Sequence, residues 1–107
     1  ALAPPPPAIA LVWPSELYVA DQPGCEATVT GRGSVAGLDQ GTRWQIEVWV
    51  QDSNKCEGVE CEWSRVHRKE ASGNDDSLSW RLQIWGEQGL HPIKVRVDFV
   101  FAHIPGQ

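Results

Sequence analysis

The clearest pattern in this sequence is a strict alternation of apolar and polar residues near its end. One face of the predicted strand carries His91, Ile93, Val95, Val97, Phe99 and Phe101. The opposite face carries Pro92, Lys94, Arg96 and Asp98. A period of two with polar residues on one face predicts a β-strand that buries its other face.

Similar patterns predict further strands along the chain. Residues 43–51 and 77–85 alternate most regularly, and residues 8–13, 16–20 and 25–30 form shorter runs. The remaining segments are predicted as a Gly-rich loop that crosses between sheets (31–41), a polar edge strand (61–69) and a polar turn (70–76). No window has apolar residues at helical spacing over about ten positions, so the pattern predicts an all-β chain almost without helix.

The turn before residue 91 resembles the corner that leads into the penultimate strand of immunoglobulin-like sandwiches. In that corner an acidic residue, a small residue, Tyr and Cys recur at alternate positions. Here Glu87, Gly89, His91 and Ile93 occupy these places, with His instead of Tyr and Ile instead of Cys. The resemblance implies an all-β, immunoglobulin-like antiparallel β-sandwich of about seven strands, in which His91 bonds to nearby backbone.

The N-terminal residues predict an extended arm. Residues 1–7 end in a run of prolines, which favours an extended polyproline conformation, and residues 8–13 form a short apolar segment almost without charge. We therefore divide the chain into a Pro-rich N-terminal arm with a candidate donor strand, residues 1–14, and a sandwich, residues 15–107.

The predicted order of strands leaves one strand missing. If the corner at Glu87 precedes strand F, the chain ends without strand G and leaves an open apolar groove. This layout resembles that of strand-exchanged bacterial and archaeal pilus subunits, in which an arm fills the groove of the next subunit. It implies a donor strand made of Ala8, Ile9, Ala10, Leu11, Val12 and Trp13. It implies an acceptor groove lined by Ile93, Val95, Val97, Phe99 and Phe101.

Two other interpretations of these segments stay open. Residues 8–13 are equally well the first strand of their own domain, as is common in single sandwiches. Alternatively, the strand at residues 91–101 is strand G, and the count of strands is off by one.

The chain has six tryptophans, which motivates a second functional hypothesis. Strand parity places Trp44 and Trp80 in the core, whereas Trp49 and Trp85 point outward among polar residues. Exposed tryptophans on a sheet face stack on sugar rings in carbohydrate-binding modules. They are also enriched at protein interfaces, so a neighbouring subunit would bury them equally well. A covering loop is the third explanation.

Charge and composition exclude several classes of function. The net charge of −5 and the pI near 5.0 argue against a nucleic-acid ligand, because phosphate binding needs clustered Lys and Arg. No apolar run reaches transmembrane length. The sequence starts at Ala1 and contains no methionine, which we interpret as a mature secreted protein, extracellular or at the cell surface. A purified domain fragment is the competing explanation.

The cysteines and histidines predict structural roles and no catalytic centre. Cys56 and Cys61 bracket a short turn and are predicted to form a disulfide, which leaves Cys25 unpaired, buried or joined to another chain. Nothing else supplies the four ligands of a zinc site. His67, His91 and His103 lie near no recognisable nucleophile motif, so we expect neither an enzyme nor a cofactor or metal.

These patterns together predict a non-enzymatic structural subunit of an extracellular filament or surface assembly, joined by donor-strand exchange. Its expected partner is another copy of itself. The alternative is a secreted carbohydrate-binding or adhesive module that contacts a glycan or cell-surface ligand through Trp49 and Trp85.

Overall fold

The computed structural model describes four segments of the chain, residues 7–19, 26–52, 62–85 and 91–101. They contain seven strands. In chain order these are β1 (Ala8–Val12), β2 (Glu16–Val19), β3 (Glu26–Ala36), β4 (Arg43–Asp52), β5 (Ser64–Ser72), β6 (Asp75–Trp85) and β7 (His91–Phe101). No helix occurs in these segments, which confirms the all-β prediction.

The strands form two antiparallel sheets, an arrangement compatible with a β-sandwich. The first sheet, sheet A, has the order β1-β3-β6, and the second, sheet B, has the order β2-β7-β4-β5. Every strand pair is antiparallel. The chain crosses from sheet A to sheet B between β1 and β2, and it crosses back between β2 and β3.

The core lies between the sheets, where the inward-facing residues of both meet. Alternate residues of β3, β4, β6 and β7 are buried, as the alternating pattern predicts. Trp44 of β4 is 1% exposed and stacks on Phe99 of β7 with ring centroids 5.3 Å apart. Trp80 of β6 is 7% exposed and belongs to the same cluster, so both tryptophans predicted to be in the core lie there.

The predicted Gly-rich loop is wrong over most of its length, because β3 continues through Ala36. Gly31 lies opposite Trp80 in the strand register, and a Cβ atom at Gly31 would lie 1.9 Å from Cζ2 of that indole. A Cβ atom at Gly33 would lie 2.2 Å from the carbonyl oxygen of Ala10 in β1. The glycines are therefore strand residues that admit close neighbours.

The predicted polar turn at residues 70–76 is shorter than expected. β5 runs through Ser72 and β6 begins at Asp75, so the turn is Gly73 and Asn74. Gly73 has a φ of 71°, a left-handed conformation that favours glycine. Its carbonyl accepts a hydrogen bond from Nε1 of Trp44 at 2.8 Å, which ties the turn to the core.

Some sequence-based predictions concern residues outside the described segments. These are the polyproline arm at residues 1–6, the Cys56–Cys61 disulfide, Cys25, the corner at residues 87–89 and His103. The side chain of His91 is also outside the description. All of these stay predictions.

The packing of Trp80 on Gly31 predicts that Gly31→Ala destabilises the fold. The added methyl group meets the buried indole, and overpacking of this kind costs about 2 kcal/mol. Gly41→Ala is the matched control, because nothing lies within 4 Å of a Cβ atom there. Urea denaturation of both variants measures the difference, and equal midpoints would contradict the packing.

Candidate interaction site at the sheet edges

Residues 8–19 form a closing arm that covers one edge of each sheet. Its first strand, β1, pairs with β3 from Ala8 opposite Ala36 to Val12 opposite Arg32. Its second strand, β2, pairs with β7 from Glu16 opposite Lys94 to Val19 opposite His91. The segment predicted as donor strand is thus the first strand of its own domain here, and it borders β3. β2 fills the place beside β7.

The arm is anchored where it crosses between the sheets. Nε1 of Trp13 donates a hydrogen bond to the Val95 carbonyl at 3.3 Å, and the Val95 amide donates to the Ser15 carbonyl at 2.8 Å. Leu11, Trp13 and Leu17 pack partly buried against the core. Pro14 lies at the crossing, and the Pro14-Ser15 pair was the sequence signal that separated the two strands.

The closing arm covers only half of each edge. β1 leaves β3 at Arg32, so no described residue pairs with β3 between Glu26 and Gly31 on that side. A cavity of about 350 Å³ opens at this point, lined by Val12, Trp13, Pro14, Thr30, Gly31 and Arg32. On the other sheet, β2 reaches only Lys94.

The predicted acceptor groove is consequently filled at one end and open at the other. The exposed fraction along the inward face of β7 rises from 1% at Ile93 through 5% at Val95 and 8% at Val97 to 43% at Phe101. Phe99 lies between these extremes, partly buried against the core. The gradient follows the end of β2, beyond which no described strand borders β7 on that side.

Residues 97–101 of β7, the open stretch, have backbone groups that no described strand pairs with on the side away from β4. Both backbone groups of Val95 point away from β4, since they bond to Ser15 and Trp13 of the arm. Backbone direction alternates along a strand, so the N–H and C=O groups of Val97, Phe99 and Phe101 point the same way. No strand of the described segments pairs with them there.

β5, the edge strand at the far side of sheet B, carries charged side chains, unlike the inward face of the open stretch of β7. β5 carries Arg65, Arg68 and Glu70 on its exposed positions. Nζ of Lys69 reaches across to donate to the Ser79 carbonyl of sheet A at 3.2 Å. Such charges protect an edge against association. The polar edge predicted for this segment is confirmed as a strand, and the open stretch lacks this protection on its inward face.

The outward tryptophans lie on different sheets. Trp85 ends β6 of sheet A and is 66% exposed. Trp49 belongs to β4 of sheet B and is half-buried beneath Arg96, whose guanidinium carbon is 5.3 Å from the Trp49 ring centroid and 4.7 Å from that of Trp63. The two predicted surface aromatics cannot form one flat platform, and only Trp85 is freely exposed.

The outer side of the closing arm carries one perturbed group. The Tyr18 hydroxyl donates to Oε1 of Glu16 at 3.0 Å. This hydrogen bond, together with the charge of the Glu16 carboxylate, raises the pKa of Tyr18 above its ordinary 10.0. Both side chains are exposed, so this hydrogen bond does not attach β2 to the core.

The described segments offer no site for metal chemistry or for membrane crossing by a helix. No three His, Cys, Asp or Glu side chains among them lie together as metal ligands would. A helix of membrane-spanning length and apolarity is likewise absent from them. A scan against protein-family models, a search of curated proteins and a search of solved structures each found no match to this chain.

Three features of the site were not predicted from the sequence. They are the pairing of β2 with β7, the anchoring of Trp13 on Val95, and the stack of Trp49, Arg96 and Trp63. Each depends on which strands become neighbours. The only signal in the sequence was the break at Pro14, which marked two short strands without assigning them to sheets.

The close approach of β1 to Gly33 predicts that Gly33→Ala weakens the pairing of β1 with β3. The new methyl group would lie 2.2 Å from the Ala10 carbonyl, and backbone cannot rotate aside as a side chain does. We expect β1 to detach, with faster amide exchange at Ala10 and Val12, whose backbone groups face β3, and a loss of about 2 kcal/mol of stability. Hydrogen exchange measured beside Gly41→Ala tests this, and unchanged protection of β1 would contradict it.

Proposed function

We propose that this chain is a non-enzymatic structural subunit of an extracellular filament or surface assembly, in which neighbouring subunits exchange their closing arms. The observation that carries the proposal is how the arm is held, since β1 pairs with β3 and β2 pairs with β7. These contacts join the arm to the body of the domain. The arm of a neighbour therefore fits the same two edges.

The body needs an arm, whether its own or a neighbour's. Without β1 and β2, the described part of sheet A would retain only β3 and β6. Removing the arm would also expose the core surface that Leu11, Trp13 and Leu17 cover. This dependence favours an assembly in which every arm is used.

The arm is connected to the body through residues 20–25. The segment between Val19 and Glu26 contains Pro23 followed by Gly24. Head-to-tail exchange is a heterologous contact that does not close, so it extends into a filament.

The strand order supports the finer fold that we propose, an immunoglobulin-like sandwich without strand G. In immunoglobulin domains strands B and E share one sheet, and strands C and F share the other. If β3, β4, β6 and β7 are strands B, C, E and F, both pairs are reproduced. β2 then takes the place of strand G, antiparallel to β7.

Arm exchange predicts a disulfide between two different chains. Glu16 and Lys94 are exposed cross-strand partners of β2 and β7, close enough in a strand pair for a disulfide. We expect a Glu16→Cys chain mixed with a larger, tagged Lys94→Cys chain to give a mixed disulfide on a non-reducing gel. Substituting Leu11 or Trp13 would be less informative, because both also pack against the domain's own core.

Two controls make this result decisive. Glu16→Cys mixed with Thr28→Cys, an exposed position of sheet A, gives the background that includes the native cysteines. The double variant Glu16→Cys/Lys94→Cys tests whether the pair closes at all. If the double variant closes only within one chain and the mixed single variants stay at background, arm exchange is refuted. Electron microscopy of the native material then decides whether a filament exists.

A second candidate function rests on Trp85. Its exposed indole on sheet A is suited to stacking on a sugar ring, as in a carbohydrate-binding or adhesive module. We expect Trp85→Ala to remove any glycan-induced change in tryptophan fluorescence and to change stability by less than about 0.5 kcal/mol. Tyr18→Ala is the matched control, since Tyr18 is a similarly exposed aromatic at 59%. A wild-type chain whose fluorescence responds to no glycan would exclude this function.

A further inference from the structure

The open stretch of β7 has the length and chemistry of a site for one added strand. It begins after Val95, whose backbone groups are taken by Ser15 and Trp13, and it ends with the strand at Phe101. A strand that adds here therefore faces residues 97–101. It meets apolar side chains at Val97, Phe99 and Phe101, the inward positions whose exposure rises toward the strand end.

We infer that the open stretch pairs with the open stretch of a second copy of this chain, antiparallel about a two-fold axis at Phe99. In this register Phe99 lies opposite Phe99 of the second copy, and Val97 lies opposite Phe101. The N–H and C=O groups of these residues that point away from β4 form two hydrogen bonds in each such pair. Sheet B then continues from one copy into the other.

In this register the open stretches of the two copies pair over their full length. Phe101 of the second copy lies opposite Val97, and two residues further along β7 the backbone groups of Val95 are bonded to Ser15 and Trp13 of the arm. A longer added strand would meet the arm. A self-complementary contact of this kind is isologous and closes as a pair, unlike the head-to-tail exchange of arms.

The charges near the open stretch favour the same register. Its one charged side chain is Asp98, on the outward face, where the carboxylate forms an ion pair with Nε of Arg96 at 3.2 Å. Pairing about Phe99 sets Asp98 opposite Val100 of the second copy, which is 39% exposed and uncharged. A register that set Asp98 opposite Asp98 would place like charges together, which destabilises a strand pair.

The inference goes beyond arm exchange and does not depend on it. The arm edge of β7 at residues 91–94 is occupied whether the arm is the chain's own or a neighbour's. The open stretch is uncovered by the described residues in both cases. The mixed disulfide reports on the arm, whereas the experiment below reports on the open stretch.

The matched variants are Phe101→Lys and Val100→Lys, measured by sedimentation equilibrium of the full chain over a range of concentrations. The two positions are adjacent and similarly exposed, at 43% and 39%. Phe101→Lys puts a charge on the inward face and is expected to abolish the pair. Val100→Lys sets a cation opposite Asp98 of the second copy, at both ends of the pair, and is expected to lower its Kd about fivefold.

A charge reversal then tests the register itself. Val100→Glu sets like charges opposite each other and is expected to raise the Kd of the pair about fivefold. Adding Asp98→Lys to Val100→Glu restores an attractive pair and should bring the Kd back. Recovery in the double variant is specific to self-pairing about Phe99.

Three outcomes would overturn the inference. The first is a wild-type chain with no two-fold association at any concentration. The second is association that Phe101→Lys leaves unchanged. The third is a loss with Val100→Glu that Asp98→Lys fails to rescue, which would point to a neighbour's arm or another strand on this edge.

Discussion

Two short strands have to close two long sheet edges, and most of the interaction surface follows from this mismatch. β1 and β2 have five and four residues, whereas β3 and β7 have eleven each. The closing arm crosses between the sheets at Trp13, so each sheet receives half a strand. Trp13 holds the crossing because its ring packs against the core while Nε1 bonds to the Val95 carbonyl. Half of each edge is left uncovered by the described residues.

The two uncovered halves differ in how far they need a neighbour. The inward residues of β3 stay buried without one, since Ala27 and Val29 are 8% and 0% exposed and the Trp80 indole covers Gly31. The uncovered half of β7 instead carries Phe99 and Phe101, whose large rings pack edge to face with centroids 5.0 Å apart and extend past the core. The uncovered half of β3 therefore buries its small inward side chains within the chain. The uncovered half of β7 carries large aromatic side chains that suit association.

The sequence predicted those parts of the fold in which local pattern and burial agree. The alternation of residues 43–51, 77–85 and 91–101 marks β4, β6 and β7 because each buries one face, and period two is the direct result. β3 was cut short at Gly31, since glycine indicates a loop locally. The reason for that glycine is the approach of Trp80 from another strand. Alternation does not encode the order of strands within a sheet, so the sequence did not predict that β2 borders β7.

The two proposed contacts have different symmetry, and their combination limits the shape of the assembly. Each subunit has one arm to give and one body to receive, so exchange of arms joins subunits in a line. The open stretch on β7 is one uncovered edge of the described segments, and β6 is another at the far side of sheet A, so pairing about Phe99 uses only the first. Because pairing about Phe99 is isologous, it joins two such lines into a pair through the half of β7 that β2 does not reach.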